Sequence, residues 1–293
     1  MMTFKSESGQ VTTISKLNIC FCGAGSMAEA LVRGLITKNL TKPQQISMLN
    51  RKNMVRLREL HGRYGIQTIE QGLDHDELLK NADVVLLAVK PTDSVDTIES
   101  MKHLFNPRQL IISVIAGLSI ETMSRLIGMS MPIVRTMPNT SATIGLGVTA
   151  ISYSNAVSDE QRLVAEKLFG AVGITEVINE ELQNAATGVF GSGPAYAYYL
   201  MEAMIAGAGK LGFDSDASLR LVVQTILGAA EMVRITSEHP AELRSNTISP
   251  NGTTQVAIDL LEQFSLKETI TKAIVKAAER SGEMGKELEM KIN

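Results

Sequence analysis

A chain of 293 residues has room for two domains with sizeable cores, and this one is 44% apolar with a formal net charge of -3. Such a balance lacks the basic excess that a nucleic-acid partner draws. No apolar run reaches membrane-spanning length, and residues 1–16 have no apolar core of the signal-peptide kind.

That leader, polar and rich in Ser and Thr, is expected to be disordered. Residues 17–22 then read as a strand, 27–37 as a helix and 46–49 as a strand. The only two cysteines, Cys20 and Cys22, stand two apart in the first strand and so share a face. They make a poor disulfide and too small a zinc ligand set, and are expected reduced in a cytoplasmic protein. The run Val84-Val85-Leu86-Leu87-Ala88-Val89 is apolar throughout, as a central parallel strand covered on both faces would be. Strands are predicted over 110–115, 133–137 and 148–152, and a helix over 159–169. This alternation predicts a doubly wound α/β sheet of the Rossmann type.

After about Glu180 the texture changes to Ala, Leu, Met and Glu at helical spacing, with helices predicted over 195–208, 217–237, 254–264 and 267–291. The expected organisation is a leader (1–16), a dinucleotide-binding domain (17–180) and an all-α C-terminal domain (181–293). Small residues at 206–209 and 228–230 permit close helix approach, either in a shared dimer core or in a self-contained bundle.

The chemistry-bearing segments lie at the ends of these elements. Gly23-Ala24-Gly25-Ser26-Met27-Ala28 follows a predicted strand and opens a predicted helix, the setting in which a glycine-rich turn holds a dinucleotide. Gly23 would make the turn, Gly25 would admit the pyrophosphate, and Ala28 would let helix pack on strand. After the second strand, where NAD enzymes place an acid for the ribose diol, this chain has Asn50-Arg51-Lys52. An amide and a guanidinium suit a 2′-phosphate, which predicts NADPH, with NADH as the weaker alternative. Lys90-Pro91 closes the most apolar strand at the ligand-binding edge of such sheets; Lys90 alternatively is a surface lysine. Asn139 follows another strand in the same way. Ser249-Pro250-Asn251-Gly252-Thr253-Thr254 reads as a tight loop before a helix, with free N–H groups and hydroxyls for a small carboxylate, or as an ordinary capped helix start. His61, His75, His103 and His239 are scattered in polar contexts, and no metal or catalytic-triad constellation is evident.

In this order and at these separations, the segments at 23–28, 89–91, 135–140, 191–196 and 249–254 resemble the pyrroline-5-carboxylate reductases, over nearly the whole chain. The resemblance implies NADPH-dependent reduction of the C=N bond of 1-pyrroline-5-carboxylate to L-proline, the last step of proline biosynthesis. It implies that Ala88, Val89, Lys90 and Pro91, together with Ala116 and Gly117, touch the nicotinamide half of the cofactor. By the same resemblance, Ser249, Gly252, Thr253 and Thr254 hold the substrate carboxylate, with the Thr254 hydroxyl at the ring nitrogen as the catalytic group. Glu180 matches a position near the substrate and Asn246 one near the cofactor, although Glu180 also reads as a solvated charge beside Glu181. A homodimer or larger assembly through the C-terminal helices is implied, with no metal. The sequence departs from the family at Asn251 (usually Gly), Phe190 (commonly Ser) and Ser141 (usually Pro). The rival readings are a related NADP-dependent imine or β-hydroxy acid reductase and a non-catalytic NADPH-binding regulator. Lys210 is the nearest lysine for the hydroxy acid branch but sits among glycines, and the intact Thr253-Thr254 loop argues against a mere regulator.

Overall fold

The computed structural model describes residues 14–69 and 72–292, which divide into two compact units. The first reaches Gly191 and takes the chain up again from Ala277; the second is Ser192–Lys276.

The first unit begins with β1 (Ile19–Cys22), α1 (Ser26–Thr37), β2 (Ile46–Leu49), α2 (Met54–Tyr64), β3 (Gln67–Thr68), α3 (His75–Lys80) and β4 (Val84–Leu87). It continues with α4 (Ser94–Met101), β5 (Leu110–Ser113), α5 (Ile120–Ile127), β6 (Ile133–Pro138), β7 (Gly147–Tyr153), α6 (Asp159–Gly170) and β8 (Gly173–Val177). A short helix, α7 (Gln183–Ala186), and a π-helical turn, Thr187–Gly191, close it. The eight strands form one sheet in the order β3-β2-β1-β4-β5-β6-β7-β8. β1 to β6 run parallel, β7 is antiparallel to β6, and β8 is parallel to β7.

Strand side chains alternate between two cores, which is the doubly wound arrangement expected. Ile19 and Phe21 join Leu31, Leu57 and Phe169 on one face. Cys20 and Cys22 point to the other, with Val85, Ile98 and Met123; both thiols are free and buried. Helices missed by the sequence reading include α2 and α5, whose starts are set by side-chain caps. Asn53 Oδ1 accepts from the Arg56 N–H at 2.9 Å to start α2, and the Ser119 hydroxyl accepts from the Thr122 N–H at 3.0 Å to start α5. α2 and α5 stop at Gly65 and Gly128, both left-handed. β8 was also missed: three of its five residues are exposed, so its pattern carries no periodic core signal.

The second unit is helical: α8 (Gly193–Lys210), α9 (Ser215–Thr236), α10 (Pro240–Thr247), α11 (Thr253–Gln263) and the first part of α12 (Leu266–Met290). Among its residues only Ser218 and Val222 are buried, while Leu211, Phe264 and Tyr199 are 82%, 73% and 77% exposed.

Three details bear on the expected domain limits. Of the leader, residues 1–13 lie outside the described residues, whereas Ile14–Lys16 forms a 3-10 turn with Ile14 buried in the first core. The first compact unit runs on from Glu180 to Gly191, with Gln183 buried against the sheet, its Nε2 donating to Arg135 O (3.2 Å) and Ser152 Oγ (2.9 Å). The end of α12 belongs to the first unit because Leu288 is buried in its second core. No helix among the described residues is long and apolar enough to cross a membrane.

Candidate functional site

The turn between β1 and α1 leaves no choice of residue at its first position. Gly23 has φ +118°, its N–H donates to Leu49 O at 2.9 Å, and a Cβ there would stand 2.3 Å from Ala88 O. A Cβ at Gly25, by contrast, would meet nothing within 4 Å, so backbone is laid bare on that side. Gly25 caps α1 without a side chain, and the first N–H to return to it is that of Glu29, at 3.0 Å. The N–H groups of Ser26, Met27 and Ala28 accordingly have no acceptor among the described residues, and Ala28 is fully buried behind them. An open helix N-terminus behind a bare glycine is a good receptor for a pyrophosphate.

That turn forms one wall of a cleft of about 790 Å³ at the carboxyl edge of β1, β2 and β4. Asn50 and Arg51 line it, as do Ala88, Val89 and Lys90. Asn50 Oδ1 accepts from the Lys52 and Asn53 N–H groups, both at 3.0 Å, so this side chain shapes the loop that displays Arg51. The Arg51 and Lys52 side chains are exposed and have no partner among the described residues. The residues present thus fit a dinucleotide carrying a 2′-phosphate: a bare backbone, open amides and an uncommitted guanidinium on one cleft. Pro91 lies just beyond the lining, where it opens a 3-10 turn capped by Lys90. The sequence reading missed Asn53, Arg56 and Thr97, which also line the cleft; the Asn50-to-Asn53 spacing, a loop followed by a helix cap, was the available signal for the first.

Three other expected residues are held by the protein itself. Gly117, at φ +78°, lies against α12: a Cβ would stand 2.9 Å from Gly285 N and 3.1 Å from Ser281 O. With Ala116 it sits after β5 and does not line the cleft. Asn139 is buried, and its side chain bridges backbone: Nδ2 donates to Phe190 O and Oδ1 accepts from the Val148 N–H, both at 3.2 Å. Glu180 Oε1 accepts from the Ile120 N–H at 2.6 Å and from Arg135 Nη1 at 3.3 Å. Arg135 is itself buried; burial pushes its guanidinium down from the ordinary value, and Glu180 opposes that shift. The second carboxylate oxygen of Glu180 has no partner among the described residues.

In the second unit the loop before α11 is as tight as its sequence demands. The Gly252 N–H donates to Ser249 O at 2.9 Å, and Asn251 adopts φ +57°, so Asn serves where Gly is usual. A side chain at Gly252 would crowd Ser249: a Cβ would stand 2.3 Å from Oγ, which would have to rotate away, and 3.0 Å from the carbonyl oxygen. The Val256 N–H returns to Gly252 O at 3.3 Å, leaving those of Thr253, Thr254 and Gln255 without acceptors among the described residues. Three open amides and two threonine hydroxyls suit a carboxylate. Asn246 is exposed on α10, shortly before this loop.

Comparison with known proteins covers both halves of the chain. Residues 180–284 match the family model described as pyrroline-5-carboxylate reductase dimerisation, and residues 18–117 match that of NADP oxidoreductase, coenzyme F420-dependent. The chain is 39% identical to pyrroline-5-carboxylate reductase 1 of Bacillus subtilis over 99% of its own length and 96% of the relative's. It superposes on Plasmodium falciparum pyrroline carboxylate reductase with NADP bound at a TM-score of 0.82 and 29% identity, over 92% of this chain and 99% of that one. A pyrroline-5-carboxylate reductase from Coxiella burnetii gives 0.83 at 34% identity, over 92% and 98%. The chain belongs to the pyrroline-5-carboxylate reductase family.

Proposed function

We propose that the protein reduces the C=N bond of 1-pyrroline-5-carboxylate to L-proline, the last step of proline biosynthesis, with NADPH preferred over NADH. The observation that carries the reading is the pairing of a bare glycine turn with an uncommitted Arg51 on one cleft, in a chain 39% identical to a named reductase. NADPH, when bound, supplies the hydride. The open α1 amides hold the pyrophosphate, and the Arg51 guanidinium reads the 2′-phosphate. The α11 amides with Ser249 and Thr253 take the substrate carboxylate, and the Thr254 hydroxyl oxygen accepts a hydrogen bond from the protonated ring nitrogen. A cyclic imine is basic and arrives protonated, so the protein needs no strong acid, only an acceptor that orients the nitrogen. Ala116, Gly117 and Asn139 enter as supports of the cofactor rather than as reacting groups.

The second unit belongs, in this reading, to a homo-oligomer, because a helical domain with two buried residues has no core of its own. Two free, buried cysteines support a reducing cytoplasmic setting. The test is NADPH oxidation with pyrroline-5-carboxylate, set against 3-hydroxy acids with NADP+. Turnover is expected with the imine alone; preference for a hydroxy acid, or cofactor binding without any turnover, would replace this reading.

A further inference from the structure

Arg56 lines the dinucleotide cleft, yet its guanidinium is already committed. Nη1 donates to Glu59 Oε2 at 2.8 Å, Nη2 donates to Glu29 Oε2, and Nε stands 3.4 Å from the Ala24 carbonyl oxygen. Glu29 Oε1 also accepts from Arg63 Nη1 at 2.6 Å and from the Tyr64 hydroxyl at 2.9 Å. Arg63 Nη2 closes the ring onto Glu59 Oε1 at 2.6 Å. Two carboxylates and two guanidiniums thus make a neutral brace between the first turn of α1 and the length of α2. The Glu29 and Arg56 side chains are largely covered, at 16% and 22% exposure.

The place of Glu29 explains why it is braced. It stands in the first turn of α1, beside the open amides of Ser26, Met27 and Ala28. A carboxylate there favours the helix but opposes any anion bound at the same end. Burial pushes the Glu29 carboxyl up, but the Tyr64 hydroxyl and the two arginines outweigh it and hold the group below the ordinary carboxylate value. Glu29 is therefore charged at neutral pH, and its field has to be cancelled locally.

We propose that Arg56 is a positioning residue for the dinucleotide: it cancels the Glu29 charge beside the pyrophosphate site and braces the Ala24 carbonyl, and leaves the 2′-phosphate to Arg51. This rests on the dinucleotide reading of the cleft but not on the identity of the substrate, so cofactor binding alone tests it. NADPH and NADH are titrated by fluorescence against the full-length protein, Arg56→Met, Glu29→Gln and the double variant. Arg56→Met should raise Kd for both cofactors by the same factor, about tenfold, the scale of one uncompensated charge at a helix N-terminus. Adding Glu29→Gln should restore most of that loss, because the opposing charge is then gone; packing alone would give no rescue. Glu29→Gln by itself should bind both cofactors at least as tightly as the parent, which keeps the test open if Arg56→Met fails to fold. A loss confined to NADPH would make Arg56 a reader of the 2′-phosphate and overturn the proposal. So would an absent rescue, an unaffected Arg56→Met, or a tenfold loss in Glu29→Gln alone. A parent protein that binds neither dinucleotide would overturn the cleft reading itself, a result distinct from all of these.

Discussion

Two side chains carry separable parts of the proposed chemistry. Arg51 is uncommitted at the cleft, so Arg51→Asp removes a charged hydrogen bond and adds repulsion at a 2′-phosphate. The expected loss is about 2–4 kcal/mol for NADPH and much less for NADH, read from the two KM values. Equal losses would show that Arg51 faces another part of the cofactor. Thr254→Val keeps volume and removes the hydroxyl while the open α11 amides stay in place. Positioned groups that handle a substrate proton contribute about 10²–10⁴-fold, and the low end is expected because the imine is already protonated in solution. The loss should appear in kcat as well as KM, with NADPH binding unchanged and Thr253→Val milder. Wild-type turnover in Thr254→Val would leave the loop as a carboxylate holder only.

At the scale of elements, the informative contact is that of α12 with the loop after β5. A Cβ at Gly285 would stand 2.6 Å from Gly117 O, a backbone atom in a left-handed residue that has little freedom to move. Alanine in a helix gains about 0.5–1 kcal/mol over glycine, but overpacking costs about 1–3 kcal/mol, so the clash wins. Gly285→Ala should therefore lower Tm. Gly282→Ala, one turn earlier, is the control: its Cβ would meet Asn184 Nδ2 at an ordinary 3.6 Å, so propensity wins and Tm should rise. A rise in both variants would mean that α12 does not press on this loop. The same crowding sets β8 beside β7, where a Cβ at Gly173 would fall 1.9 Å from Gly147 O.

For the whole molecule, the second unit poses the largest energetic question. Its helices expose Leu211, Ile235, Val256 and Phe264 at two-thirds or more of their surface, which no water-facing domain gains from. Within one chain a Cβ at Gly228 meets nothing within 4 Å, so Gly228→Leu should be harmless to an isolated subunit. If a second copy covers α9, the added side chain forces helices apart at about 1–3 kcal/mol or more. Light scattering should then show a smaller or aggregated species with activity lost. An unchanged, active oligomer would place the shared core elsewhere.

What the sequence determined by itself is whatever a few neighbouring residues dictate. Gly23 and Asn251 sit at positive φ where their residue types allow it, and β2 spans the predicted residues, because dihedral demand and alternation are local properties. The order of motifs placed the glycine turn, Arg51 and the α11 loop. Tertiary structure alone decided what fills the hydrogen bonds of distant partners. Glu180 meets Ile120 sixty positions away, Asn139 meets Phe190, and Gly117 meets a helix near the end of the chain. It also turned β7 antiparallel and drew α7 and the end of α12 into the sheet unit. The brace that commits Arg56 while leaving Arg51 free joins α1 to α2, and no local spacing encodes it. Pairing across such separations depends on which faces the folded sheet buries, and that is a property of the assembled core rather than of any stretch of sequence.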